Sequence, residues 1–567
     1  MPPDPLDHNR RRFALTLGAL GLGGTLLPGA LTAVAQETDA VTVEQVRAAA
    51  RIAGLSLTDS DFETIVKRLN ETDGLRADFA SIREAKLPNS VPPAFLFNPL
   101  PVGFEPPRGK TVWKPSKMRP AKPATDEDLA FLPVTHLARL LEKREISSLD
   151  LTKLYLDRLK HYGPKLHCVI TLTEELALRQ ARQADEEIRS GRYRGPLHGV
   201  PWGAKDLLAV RGYPSTWGAS PYREQTLDVD AAVYERLTAA GAVLLAKLSM
   251  GSLAQGDRWF GGRTRSPWNL DNGSSGSSAG SGAATAAGLV GFAIGTETRG
   301  SIISPSRRCG VTGLRPTYGR VSRFGAMTLS WTMDKIGPMC RAAEDCALVF
   351  REIQGADPRD PAPYPEVPFS WDAGAELRSL RVGYIRSQYE EPVKEAEREQ
   401  RAADDQALAT LRGMGVSLRP VEWPSTREDA IGFILSTEAA AAFDQLVLDN
   451  SDASMRAEPE SSSRPDTARL HRFIPAVEWI QANRVRSQII ERVQQELFAD
   501  LDVVIGSNLG LTNLTGHPEI ALPHGFASNG EPLGLSFTGK LFGEPELLLL
   551  AHHFQARTAF HQKRPPL

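Results

Sequence analysis

The stretch Gly273–Cys309, GSSGSSAGSGAATAAGLVGFAIGTETRGSIISPSRRC, decides how this chain is read. Gly-Ser tracts usually serve as flexible linkers. This one runs into Ala283 to Ala287, which favours helix, and then into the apolar run Leu289 to Ile294, which suits a buried strand ending at Gly295. A Gly-Ser segment held between packed elements becomes a shaped loop that presents backbone N–H groups and hydroxyls. Such a loop suits catalysis better than tethering.

Gly276-Ser277-Ser278-Ala279-Gly280 also fits the GxSxG pattern that would make Ser278 the nucleophile of an α/β-hydrolase. That pattern requires a strand leading directly into the serine. Residues 266–272, SPWNLDN, read as a turn-forming segment, so the elbow lacks its context.

Working outward, Gly199–Asp206 (GVPWGAKD) carries Lys205, and the apolar strand Ala242 to Ala246 is followed by Lys247. A serine hydroxyl is a weak nucleophile and needs a base within hydrogen-bond reach. A lysine serves as that base only when neutral, and burial is what neutralises it. On these residues alone, both lysines are candidates.

The segments GVPWGAKD, SGSSAGS (Ser275–Ser281) and GTETRGSI (Gly295–Ile302), the last leading to CGVTGLRPT (Cys309–Thr317), closely resemble the amidase signature family. These are Ser-Ser-Lys hydrolases that cleave carboxamide C–N bonds. The resemblance spans roughly 126–567, because NLTGHPEIALPHGF (Asn513–Phe526) and Gly530 to Gly539 are similar to the family's C-terminal motifs. It implies Ser301 as nucleophile, Ser277 as bridging serine and Lys205 as base. Ser301 lies 24 residues after Ser277, the interval usual in the family. The resemblance further implies a cis peptide before Ser277, tolerated at Gly276, a supporting role for Ser278, and an oxyanion hole from the N–H groups of Thr298, Arg299, Gly300 and Ser301. Ser275, Ala279 and Arg299 stand where the family commonly has glycine. Arg299 either turns to solvent or supplies a cation that favours an anionic or polar acyl group.

The rest of the chain sets bounds. Lys and Arg total 66 and Asp and Glu 68, a net charge of −2 that offers no nucleic-acid-binding surface. The four cysteines and eleven histidines lack metal-ligand spacing, so buried thiols are expected and neither a metal nor an organic cofactor. Arg10-Arg11-Arg12-Phe13, the glycine-interrupted apolar run Ala14 to Leu27 and Ala33-Val34-Ala35 make residues 1–35 an export signal of twin-arginine type. The expected location is periplasmic or secreted, with no stable membrane insertion once the signal is removed. Assembly as a homodimer stays open.

Residues 36–75 read as a helical hairpin, with capping signals at Thr42 and Thr58, and 76–125 as a proline-rich extended strap. Residues 42–123 resemble the small C subunit of the tRNA-dependent amidotransferase; an unrelated helical cap is the alternative. From 126 onward helices and apolar strands alternate, which predicts a single large α/β domain with a mixed, mostly parallel twisted sheet covered by helices. The leading function is an exported amidase acting on a small-molecule amide through an acyl-enzyme. An amidotransferase component is the second reading. Export opposes it, as does the stretch 436–444 (STEAAAAFD), which lacks the A subunit's glutamine-recognition pattern. A non-catalytic binding protein is the third. Phe324, Trp331, Phe433 and Trp479 are candidates to line an acyl or aryl site.

Overall fold

From Val169 onward, short strands of three to eight residues alternate with helices and assemble into one large sheet. The computed structural model describes residues 40–567, apart from 53–54, 73–85, 87, 92–94, 119, 361, 363–366 and 457–463. The export signal expected at 1–35 lies outside the described residues, as does much of the first part of the strap. The chain divides into two compact units between Leu87 and Pro88.

In the first unit, helices Val43–Ile52 and Asp59–Leu69 pack through Val46, Ala50 and Phe62. Both have reciprocal caps: Thr42 with Gln45, and Thr58 with Asp61. Each box satisfies N–H groups that a helix start leaves without partners.

The second unit is built on eleven strands: β1 Val169–Leu172, β2 Pro201–Lys205, β3 Val243–Leu248, β4 Phe292–Glu297, β5 Thr312–Arg315, β6 Lys335–Cys340, β7 Val382–Ile385, β8 Leu418–Val421, β9 Val503–Ile505, β10 Glu519–Phe526 and β11 Pro532–Gly539. Their order across the sheet is β8-β7-β9-β11-β10-β5-β6-β4-β2-β3-β1. The sheet is mixed, but the expected parallel majority does not hold. Within this sheet, among the described residues, parallel pairing is confined to β7 with β8 and β9, and to β2 with β3 and β4; the other six pairings are antiparallel. The physical reason lies in the connections. β10 and β11 are joined by a hairpin turn too short for a crossover helix, and antiparallel β5, β6, β10 and β11 separate the two parallel groups.

The Gly-Ser tract forms the helix Ala279–Ala286, all eight residues of which are buried. Its small side chains let it lie flush on the sheet. A Cβ on Gly280 would stand 2.5 Å from the Cys168 carbonyl oxygen and 2.6 Å from the Ser249 nitrogen. The composition therefore serves close packing. The following strand begins at Phe292 rather than Leu289 and continues past Gly295 to Glu297, where its ladder with β6 pairs Glu297 with Lys335.

Proline removes backbone donors, so residues 88–125 hold to the second unit mainly through side chains and short pairings. The Asn89 amide donates to the Thr328 and Ala442 carbonyls and accepts from Thr328 N. Trp113–Lys114 pairs in parallel with Trp371–Asp372. Phe97 stands edge-on to Tyr318, with the Arg486 guanidinium 3.4 Å from its ring centre. All four cysteines are free and buried. Among the described residues no helix is long and apolar enough to cross a membrane.

Candidate active site

Parallel strands β2 and β4 are neighbours, and their carboxyl ends bring Lys205 and Thr296 together. The turn before helix Ala279–Ala286 lays Ser277 and Ser278 over those ends. Lys205 is fully buried. Its Nζ donates to Ser277 Oγ at 2.8 Å, Ser278 Oγ at 3.1 Å, Thr296 Oγ1 at 2.8 Å and the Thr296 carbonyl at 3.3 Å. The Gly276–Ser277 peptide is cis. A Cβ on Gly276 would lie 1.8 Å from the Gly256 carbonyl oxygen, so no larger residue fits that approach.

Burial pushes the Lys205 ammonium down from its ordinary 10.5 to about 7, against the opposing pull of the Asp334 and Glu297 carboxylates. An amine with that value is largely neutral just above neutrality and can accept a proton. Among the described residues no carboxylate pairs with it. Lys247 is in the opposite situation. Its Nζ lies 2.9 Å from Asp206 Oδ1, with both side chains fully buried, and it also donates to Pro214 O and Ser215 Oγ. The structure thus brings Lys205, and not Lys247, to the serines. Lys247→Met should leave Asp206 buried and unpaired, lowering unfolding stability by roughly 3–5 kcal/mol. Urea unfolding checks this, and the residual folded fraction should keep its specific activity.

Ser278 is the N-cap of helix Ala279–Ala286, but its hydroxyl is spent elsewhere. Its Oγ accepts from Thr296 N and donates to Thr296 O, both at 3.1 Å. Residues 265–273, partly read as a turn, form a small hairpin in which Arg265–Ser266 pairs with Asn269–Gly273. That hairpin stands outside the large sheet, so no central strand leads into Ser278.

Ser301 sits in the turn after β4, 9% exposed, with its carbonyl accepting from Ser278 N at 3.2 Å. The loop is anchored at both ends. Thr298 Oγ1 donates to Asp334 Oδ1 at 2.6 Å, and Asp334 Oδ2 accepts from Leu329 N and Ser330 N. Glu297 Oε2 accepts the N–H groups of Ile302 and Ile303 at 2.8 and 2.9 Å, while its Oε1 takes Arg315 Nη1 at 2.7 Å and Asn513 Nδ2 at 2.9 Å. Burial alone would raise the Glu297 carboxyl. The Arg315 guanidinium and these hydrogen bonds outweigh it and hold the group below its ordinary range. Between the anchors, none of the N–H groups of Thr298, Arg299, Gly300 or Ser301 is occupied by an acceptor among the described residues.

Arg299 is exposed. Its guanidinium nitrogens lie 3.5 Å from where a Cβ would stand on Gly432 and on Gly510. The side chain therefore reaches from its loop to the start of helix Phe433–Ala442 and to helix Leu509–Thr515.

Thr296, Glu297 and Asp334 escaped the reading of the sequence as site residues. The first two lie inside GTETRGS and were legible as polar residues at a strand end, whereas Asp334 reaches the loop only through the β4–β6 register. The stretch 436–444 falls largely in helix Phe433–Ala442, where buried Glu438 accepts from Ser330 Oγ and from Thr332 N and Oγ1. Of the four aromatic candidates, Trp479 packs on Phe95 and Phe324 lies beneath the Arg359 guanidinium. The Trp331 carbonyl accepts from Tyr318, and Phe433 packs against the cluster of Ile431 and Ile434. Among the described residues no cluster of His, Cys, Asp and Glu could hold a metal.

A buried lysine thus faces two serines at the carboxyl ends of parallel strands, beside a turn of open N–H groups. The sequence model of the Amidase family matches residues 150–508, and the chain belongs to the amidase signature family, whose members hydrolyse amide C–N bonds. The A subunit of the glutamyl-tRNA(Gln) amidotransferase of Methylococcus capsulatus is 33% identical over 490 residues, covering 76% of this chain and 98% of that protein. Among solved structures, the peptide amidase of Stenotrophomonas maltophilia superposes with a TM-score of 0.67 at 30% identity, over 77% of this chain and 98% of that one. A 6-aminohexanoate cyclic dimer hydrolase in complex with its substrate gives the same TM-score at 25% identity, over 77% and 99%.

Proposed function

We propose that this protein is an exported amidase that hydrolyses a small carboxamide through Ser301, Ser277 and Lys205. The observation that carries the reading is the 2.8 Å hydrogen bond between Ser277 Oγ and a fully buried Lys205 whose proton affinity has fallen to about 7. In the reaction, Ser301 Oγ attacks the carbonyl carbon while its proton passes through Ser277 Oγ to Lys205 Nζ. The carbonyl oxygen becomes an oxyanion, met by the open N–H groups between Thr298 and Ser301, each worth about 3 kcal/mol when aimed at it. The C–N bond then breaks, and the departing nitrogen takes the proton back along the same path. Water repeats the sequence on the acyl-enzyme, freeing the carboxylic acid and restoring Ser301. Ser278 and Thr296 hold the lysine on axis.

The test is a screen of aliphatic amides, anilides and peptide amides, with release of ammonia or amine measured. Within it Arg299 can be read directly. Arg299→Gly keeps the backbone N–H and deletes the guanidinium that lies beside Gly432 and Gly510. We expect kcat/KM for an acidic amide to fall about 10- to 100-fold relative to its neutral analogue, the loss of one charge-assisted contact. An unchanged ratio would mean that the side chain only faces water.

Export rests on residues 1–35 of the sequence. Protein recovered from the native host should begin at Gln36 and lie outside the cytoplasm, and changing Arg10 and Arg11 to lysine should strand the precursor inside. Intact mass spectrometry checks both outcomes. A cytoplasmic chain starting at Met1 would reopen the amidotransferase reading.

A further inference from the structure

A cavity of about 230 Å³ opens between helix Ile303–Cys309, strand β11 and the segments after β7 and β9. Ser536 Oγ, in a residue only 4% exposed, is buried there with no hydrogen-bond partner among the described residues, and the half-buried Arg307 and the buried Tyr389 line the same space. Buried polar groups are normally satisfied, so a buried hydroxyl left without a partner on the wall that Arg307 lines calls for an explanation. Other buried arginines nearby are used: Arg315 binds Glu297 and the His517 carbonyl, and Arg341 binds the Thr285 and Val290 carbonyls.

The remaining walls are already occupied. Gln388 exchanges hydrogen bonds with the backbone of Ser507, and Ser507 Oγ donates to Glu519. Asp404 Oδ1 meets His524 Nε2 at 2.7 Å and Gln400 Nε2 at 2.8 Å. The arginine has been given room to reach in. Its stem crosses Gly534, with Cγ 2.5 Å from where a Cβ would stand, so any larger residue there would displace it.

We propose that this cavity binds a small organic carboxylate. A guanidinium that shares its cavity with two hydroxyls suits a planar monoanion, which Arg takes with two parallel hydrogen bonds. A phosphate dianion fits less well, because one cation faces it and Asp404 and Glu519 stand close by.

Calorimetric titration of the protein with sodium glycolate, and separately with phosphate at matched ionic strength, tests the assignment. Glycolate should bind saturably, with affinity weakened about tenfold or more in Arg307→Gln and several-fold in Ser536→Ala. Lys205→Met should bind as the wild type does, which separates this cavity from the candidate active site. Ser536→Ala deletes a hydroxyl that has no partner, so it folds normally and keeps the test decisive if Arg307→Gln does not. Absence of saturable glycolate binding, unchanged affinity in Ser536→Ala, tighter binding of phosphate, or loss of binding in Lys205→Met would each overturn the proposal.

Discussion

Ser301→Ala is expected to lose on the order of 10⁴-fold or more in kcat, about 5 kcal/mol of transition-state stabilisation. In the proposed mechanism this hydroxyl forms the acyl bond, and no neighbour is placed to replace it. Ser278, the nearest alternative by sequence, already spends its Oγ on Thr296 N, Thr296 O and Lys205 Nζ. Ser277 accepts from Lys205 and sits 1% exposed, placed to pass a proton and too enclosed to meet a carbonyl carbon first. The fold should persist, because Glu297 and Asp334 hold the loop by its ends without using the Ser301 side chain. Steady-state assay beside urea unfolding separates the two effects, with stability changed by no more than about 1–3 kcal/mol.

The second large effect belongs to Lys205. In the proposed mechanism its neutral form is the base, so the protonated form present at low pH should be inactive. Because burial holds the group at about 7, kcat/KM should climb tenfold per pH unit below that value and level off above it. Carboxylates act against the burial, so the limb should not lie far lower. Lys205→Met should remove the base and reduce turnover by about 10³-fold or more, with the rising limb near 7 gone from the residual rate. A limb that survived in Lys205→Met would assign it to another group.

How much of this could be read from the residues differs by element. The helices at 148–161 and 173–190 were legible from their spacing, and the structure has them at Ser148–Leu166 and Glu174–Arg189. Strand direction was not legible. Runs such as Val503–Ile505 and Pro532–Gly539 are apolar whichever way they point, and only the short hairpin joining β10 to β11 fixes the alternation through the middle of the sheet. The choice between Lys205 and Lys247 shows the same limit. Both end apolar strands and both are fully buried, and what separates them is the turn after β2, which carries Asp206 to Lys247 and leaves Lys205 facing hydroxyls. Asp334 lies 36 residues beyond Thr298, and no local pattern announces that the β4–β6 ladder will set them side by side. Polar residues at strand ends were visible one by one. Their partners were set by register.

The most direct test of the account is where a covalent probe lands. Wild-type protein treated with an alkyl fluorophosphonate and digested should carry the phosphonyl group on Ser301 alone. Labelling should rise with pH through about 7 as turnover does, because both need neutral Lys205. An adduct mapped to Ser278 would contradict the account and restore the α/β-hydrolase elbow. An adduct on Ser277 would exchange the roles of the two serines.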